Sequence, residues 1–313
     1  MILDIKTLAH SLTDTLRETV KKLAEKPQLT IIMVGDNPAS EVYVRNKLKM
    51  CEHVGIKWTL VHLKESITEE ELLKKITALN TSETHGILVQ SPLPKDINAQ
   101  KVFDAIDPLK DVDGFSSANI SRLYSGDISG LVPATPMGVM KICEAYFQVQ
   151  NAKCKEQNGG SIINNPPLWI LNFEFWINNN HLVWLSVVII WKSTIVGKPL
   201  ALLLLHAGAT VTICHSRTKN LSFHTKNADI IISATGKKHL VTADMIRPWA
   251  LVIDVGINVE EIDEKRILFG DCDTQDIAKI ADITPVPGGV GPMTIAMLLT
   301  NVVTAYELQN AKG

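Results

Sequence analysis

Apolar side chains return with a helical period at Leu8, Leu12, Leu16, Val20 and Leu23, which predicts an amphipathic helix over residues 7–25. The run Thr30-Ile31-Ile32-Met33-Val34 is continuously apolar and ends on Gly35, as a strand buried on both faces would. A second helix is expected from Glu41, capped by Ser40 in the turn Asp36-Asn37-Pro38-Ala39-Ser40. A third is expected over residues 68–80, followed by a strand at Gly86–Gln90. Strand, helix and strand in this order imply a parallel sheet with right-handed crossovers.

The same alternation resumes later in the chain. Val187–Ile190, Ala209–Cys214, Asp229–Ser233 and Leu251–Val255 read as buried parallel strands, with a helix from Lys198 to His206 between the first two. This block resembles a dinucleotide-binding domain. A Pro/Gly-rich segment, 285–292, precedes an apolar helix over Met293–Leu308 that is expected to return to the first domain. The predicted class is therefore α/β, with a parallel-sheet domain at 1–134, a Rossmann-like domain at 135–284 and a C-terminal segment at 285–313 packing back.

Residues 151–192 interrupt this pattern. They are rich in Asn and hold Trp169, Trp176, Trp184 and Trp191, four of the six tryptophans. The apolar stretch Leu168–Trp191 raises a membrane helix, but Glu174, His181 and Asn178-Asn179-Asn180 are costly in hydrocarbon. The expectation is an irregular insertion that ends in the strand at Val187–Ile190. It reads either as a lineage-specific insertion or as non-native translation, the composition jump favouring the second.

Composition narrows the classes. A chain of 313 residues exceeds one ordinary core, and 46% apolar with 20% charged residues is that of a globular protein. A formal net charge of −2 gives no electrostatic case for nucleic acid as partner. Cys51, Cys143, Cys154, Cys214 and Cys272 are scattered without CxxC spacing, so reduced thiols are expected, with neither a disulfide framework nor a metal site. The N-terminus lacks the pattern of a signal peptide, and the expected location is the cytoplasm.

Candidate chemistry gathers at the strand ends. Tyr43 and Lys47, four apart, share one helix face, and a lysine of lowered pKa beside a phenol can move protons. Gln90-Ser91-Pro92-Leu93-Pro94 follows a strand directly, at the carboxyl end where open α/β sheets bind ligands. Asp111-Val112-Asp113-Gly114-Phe115 supplies carboxylates in a turn, which also fits a loop closed by Asx hydrogen bonds. In the second block, Ser193-Thr194-Ile195-Val196-Gly197-Lys198-Pro199 joins a strand to a helix N-terminus, a place for a pyrophosphate. The next strand ends in His215-Ser216-Arg217-Thr218, with no acid to hold a ribose 2′-hydroxyl, which suits a 2′-phosphate.

Taken together these segments resemble the methylenetetrahydrofolate dehydrogenase/methenyltetrahydrofolate cyclohydrolase family. The match runs through Val34–Ser40, Gln90–Pro94, Lys110–Phe115, Pro133–Gly138, Ile195–Pro199, His215–Thr218, Asp254–Asn258 and Pro285–Thr294. The resemblance implies a folate domain, an NADP-binding domain and a homodimer that acts on tetrahydrofolate derivatives. It implies oxidation of 5,10-methylenetetrahydrofolate with NADP, then hydrolysis to 10-formyltetrahydrofolate. By the same resemblance Lys47 is the acid/base residue, Tyr43 stacks near the pterin and Gln90 bonds Lys47 and keeps it partly neutral. Asp113 binds the pterin, and Gly288, Gly289 and Val290 shape its pocket. Lys192, Ser193, Ile195, Ser216, Arg217, Gly256 and Ile257 line the cofactor site.

The family enters its nucleotide loop with Gly-Arg-Ser, and here the place reads Trp191-Lys192-Ser193. Tryptophan lacks the backbone freedom of glycine, and lysine lacks the forked donor of arginine. A cyclohydrolase without dehydrogenase activity, or an inactive folate-binding product, is the competing reading.

Overall fold

The structure, a computed structural model, describes residues 1–157, 181–262 and 265–311. Trp169, Trp176, Glu174 and Asn178-Asn179-Asn180, which carried the reading of the anomalous stretch, lie outside the described residues. The chain divides into two compact units, His10–Ala134 with Ile295–Gly313 and Met1–Ala9 with Thr135–Thr294. The first carries α1 (Ile5–Lys22, from His10 on), β1 (Gln28–Val34), α2 (Pro38–Val54), β2 (Lys57–Leu63), α3 (Glu69–Asn80), β3 (Gly86–Val89), α4 (Ala99–Asp104) and α5 (Ser117–Tyr124). The second carries α6 (Ala134–Gln157), β4 (Ser186–Ile190), α7 (Gly197–His206), β5 (Thr210–Cys214), α8 (Leu221–Thr225), β6 (Ile230–Ser233) and β7 (Leu251–Asp254). It continues with β8 (Asn258–Ile262), β9 (Lys265–Phe269), α9 (Thr274–Ile277) and β10 (Asp282–Ile283), and α10 (Val290–Asn310) closes the chain.

In the first unit the sheet order is β2-β1-β3, all parallel, with β1 in the middle. The central position explains the unbroken apolar run: Leu29, Ile31 and Ile32 are wholly buried. Strand β2 carries no such signal, because it is an edge strand with Trp58 and Leu60 exposed. Leu12, Leu16 and Val20 of the α1 stripe are buried as the periodicity requires.

One expected cap is corrected. Ser40 does not begin the second helix; Asn37 does, its Oδ1 accepting the Ser40 N–H at 3.1 Å and its carbonyl the Glu41 N–H at 3.0 Å. Pro38 makes this the better start, since its ring pre-sets the helical φ and its missing N–H would have been unsatisfied anyway. On α3 the cap is a reciprocal box, in which Glu71 N–H donates to Thr68 Oγ1 at 3.2 Å and Thr68 N–H to Glu71 Oε2 at 2.9 Å.

The second unit holds a five-stranded parallel sheet in the order β10-β7-β6-β4-β5. The chain leaves β4 towards β5 on one side and returns to β6 on the other. That reversal opens a crevice at the carboxyl ends of β4 and β6, the place where doubly wound sheets take ligands. Strands β8 and β9 pair as an antiparallel hairpin that no apolar run announced, with Val259, Ile267 and Leu268 exposed. Among the described residues, no helix is long and apolar enough to cross a membrane.

The C-terminal helix does group with the first unit from Ile295 on, as the fold class required. Its Asn301 is buried and donates through Nδ2 to Val112 O and Val132 O, each at 2.8 Å. Asn301→Leu leaves two buried carbonyls without a donor and is expected to cost about 2–4 kcal/mol. Urea unfolding of the variant against the parent chain checks it.

Candidate active site

In the first unit α2 presents Tyr43 and Lys47 one turn apart on one face, with Tyr43 exposed at its edge and Lys47 half-buried. Strand pairing carries one residue past β3, because the Gln90 N–H donates to Ile32 O at 2.8 Å. The Gln90 side chain therefore starts from a fixed backbone at the carboxyl end of the sheet. Its Nε2 donates to Ser91 O at 2.7 Å, which turns Oε1 towards Lys47, whose Nζ donates to it at 3.0 Å. The amide orientation thus follows from its own partner.

Burial lowers the pKa of Lys47, and the charges of Asp113 and Cys51 oppose that shift. Gln90 orients the amine rather than neutralising it, since a carbonyl acceptor favours the protonated form. Burial likewise pushes Asp113 up to about 6, with the Lys47 charge pulling it down and Asp111 pushing it further up. One turn past Lys47 the buried Cys51 thiol is pushed up to about 12, again by burial. A lysine shifted down beside a carboxyl shifted up forms a pair suited to proton transfer near neutrality.

The turn that delivers Asp113 is built on Asp111. Asp111 is buried and accepts the Gly114 N–H at 3.1 Å, the Ser116 N–H at 2.7 Å and Asn119 Nδ2 at 3.0 Å. The Asx reading of this segment holds at Asp111, and Asp113, two residues on, feels the charge of Lys47.

In the second unit the loop after β4 meets the N-terminus of α7. Ser193 Oγ accepts the N–H groups of Val196 and Gly197, both at 3.2 Å, and its carbonyl takes the Lys198 N–H at 2.9 Å. A Cβ at Gly197 would stand 2.1 Å from the carbonyl oxygen of Trp191. The steric demand for glycine in this loop therefore falls on residue 197. Trp191 lies outside the left-handed region, and its side chain is 37% exposed. Lys192 is exposed beside it, while Ser193 and Ile195 are half-buried.

Strand register places the next loop alongside, since Ile190 pairs with Cys214. Ser216 and Arg217 are exposed there, and the turn is tied by His215 N–H to Thr218 Oγ1 at 2.9 Å and Arg217 N–H to His215 Nδ1 at 3.1 Å. Gly256 follows β7, its N–H donating to Asp254 Oδ1 at 3.0 Å, and Ile257 beside it is partly exposed. Gly288 and Gly289 lie in the turn into α10, and Val290, its first residue, is buried.

The structure thus brings Lys47, Gln90 and Asp113 together, with Tyr43 on the same helix face, and sets the seven residues expected to line the cofactor site after β4, β5 and β7 of the other unit, with β6 between β4 and β7. Sequence reasoning missed Asn301 as a support, and missed the buried pair Asp254 and Asp271. Their partners lie outside any local window; only the charge closing the apolar run Leu251–Asp254 hinted at one of them.

Two family models match the chain: tetrahydrofolate dehydrogenase/cyclohydrolase, catalytic domain, over residues 3–113, and its NAD(P)-binding domain over residues 177–310. The bifunctional protein FolD of Burkholderia thailandensis is 46% identical over 308 residues, spanning 95% of either chain. Among solved structures, the bifunctional FolD methylenetetrahydrofolate dehydrogenase/cyclohydrolase from Campylobacter jejuni is 41% identical, covers 99% of both chains and superposes with a TM-score of 0.83. The Trypanosoma brucei FolD, solved with NADP cofactor and an inhibitor, is 30% identical over 99% of this chain and 98% of its own, also with a TM-score of 0.83.

Gly197→Ala is expected to destabilise the chain by about 1–3 kcal/mol, because the added methyl meets backbone rather than a yielding side chain. Differential scanning calorimetry should show the lowered transition, and an unchanged one would remove the steric role given to this glycine.

Proposed function

Since the chain belongs to the tetrahydrofolate dehydrogenase/cyclohydrolase family, we propose that it oxidises 5,10-methylenetetrahydrofolate to 5,10-methenyltetrahydrofolate with NADP and hydrolyses the product to 10-formyltetrahydrofolate. The observation that carries the hydrolytic half is the Lys47–Gln90 contact at 3.0 Å beside Asp113.

The methenyl carbon is an electrophile held between two nitrogens. Water attacks it, and the amine of Lys47, whose pKa burial lowers, takes the proton as the C–O bond forms. Cleavage of the bond from that carbon to the pteridine nitrogen then leaves the formyl group on the other nitrogen. The nitrogen released picks up a proton that Lys47 can return, and the hydroxyl proton leaves to solvent. Gln90 holds the amine in place between these transfers. Asp113, ionised above about 6, accepts hydrogen bonds from the pterin, and Tyr43 supplies a stacking face.

For the oxidative half the chain supplies position. Bound NADP would supply the acceptor for the hydride that leaves the methylene carbon. The residues at hand fit it: Ser193 and Ile195 lie in the loop leading to the N-terminus of α7, and the Trp191 carbonyl sits so close to Gly197 that this turn has no room for a side chain there. Lys192, Ser216 and Arg217 supply cationic and hydroxyl groups for a 2′-phosphate, and Gly256 and Ile257 border the crevice from β7. Gly288, Gly289 and Val290 shape the folate pocket in this reading. A homodimer in the cytoplasm belongs to it as well, and the apolar Val259, Ile267 and Leu268 exposed on the β8–β9 hairpin are compatible with a partner surface.

Trp191 motivates the competing reading of a cyclohydrolase alone. The glycine demand at residue 197 favours the bifunctional one. The unmodified chain is therefore expected to form methenyltetrahydrofolate with NADP, followed by absorbance. Trp191→Gly with Lys192→Arg should change the KM for NADP by less than about tenfold. Silence in the unmodified chain, with methenyl hydrolysis intact, would leave the cyclohydrolase alone.

Two further outcomes test the hydrolytic site. Lys47→Met should lower the hydrolysis rate by about 10²–10⁴ while leaving NADP affinity unchanged. In the parent, kcat/KM for hydrolysis should fall as pH drops through about 6, because Asp113 is then protonated and loses its charge for the pterin. In Asp113→Asn the inflection near 6 should disappear along with most of the activity, leaving only the fall caused by protonation of Lys47.

A further inference from the structure

Two carboxylates that the chemistry above does not use lie under the carboxyl end of the second sheet. Asp254 closes β7 and Asp271 follows β9, and they are 1% and 0% exposed. Buried carboxylates persist only where donors surround them. Oδ2 of Asp271 accepts from Ser233 Oγ at 2.9 Å, the Thr235 N–H at 2.5 Å and Thr235 Oγ1 at 2.9 Å. Its Oδ1 accepts from the Lys237 N–H at 3.0 Å and Asn258 Nδ2 at 3.1 Å.

These donors come from three places: the last residue of β6, the loop after it, and the first residue of β8. Gly256 adds a fourth contact, since a Cβ there would stand 2.1 Å from the same carboxylate. Asp254 braces the arrangement from below, accepting the N–H groups of Gly256 at 3.0 Å, Asp271 at 3.1 Å and Cys272 at 2.8 Å. Ser233 is paired with Ile190 on one side and Asp254 on the other, so the fastened loops border the crevice where the strand order reverses.

We propose that Asp271 is a positioning residue for the dinucleotide, holding the backbone at 234–238 and 256–258 in the geometry against which NADP rests. This inference stands on the functional reading above. It requires a carboxylate, because all five partners donate and an amide would turn an N–H₂ group against at least two of them.

The test compares Asp271→Asn and the milder Thr235→Val with the parent, full chain throughout. NADP affinity is measured by calorimetry, and methenyl hydrolysis is measured without NADP. Asp271→Asn is expected to weaken NADP binding about tenfold or more, and Thr235→Val about threefold, while hydrolysis in both stays within about twofold. Unchanged NADP affinity in both variants overturns the proposal. So does a parallel loss of hydrolysis and binding in Asp271→Asn with full affinity in Thr235→Val, which would mark Asp271 as a general support of the fold. A parent chain that hydrolyses methenyltetrahydrofolate but binds no NADP overturns the oxidative reading itself, a result distinct from either.

Discussion

Parallel pairing makes every strand of a sheet end at one edge, and each unit of this chain builds its chemistry on that edge. In the first unit the ladder between β1 and β3 runs on to Gln90, so the amide leaves the sheet with its backbone already fixed. In the second, the ladder from β5 through β4 and β6 to β7 ends in four adjacent loops, and the reversal of order between β4 and β6 parts them. Side chains at strand ends inherit the rigidity of the sheet without being buried in it. Loops beyond them need fastening, which Asp111 supplies in one unit and Asp271 in the other.

Burial sets the electrostatics of Lys47 and Asp113 more than any pairwise contact does. It destabilises the charged forms of both Lys47 and Asp113, and their attraction restores only part of that loss. Each is thereby moved towards neutrality from opposite directions. For Asp113 the shift from 3.8 to about 6 means the folded state binds that proton more tightly than the unfolded chain does. Its contribution to stability is therefore favourable in acid and is lost as pH rises from about 4 to about 6, where the folded state gives up that proton.

How much of this the sequence disclosed depended on where each element sits. The central strands β1, β4, β6 and β7 are covered on both faces, so their apolar runs were unmistakable. Strand β2, at an edge, and the β8–β9 hairpin face solvent, carry mixed residues, and left no comparable trace. The helix start at Asn37 was misplaced to Ser40 because both residue types cap helices, and Pro38 was the cue that distinguishes them. Tyr43 and Lys47 at a spacing of four are common on helices, and only the resemblance to a family singled them out. The Lys47–Gln90 contact spans 43 residues, and the opposing shifts of Lys47 and Asp113 arise between residues still further apart in sequence, beyond any local pattern. Glycine was expected to matter at 191 by family habit, whereas the backbone places the close approach at 197.

The buried thiol of Cys51 has a chemical consequence of its own. Thiolates capture electron-poor carbons far faster than water does, and the methenyl carbon is such a centre. Cys51 follows Lys47 by a single turn of α2, close enough for each to shift the other's titration. With its pKa at about 12 the sulfur stays protonated at any pH where the site works. The helix therefore carries, one turn from Lys47, a sulfur that stays a neutral thiol. A thiol both unionised and without solvent exposure is a poor nucleophile, so the sulfur here serves as packing next to the amine and not as a competing reagent.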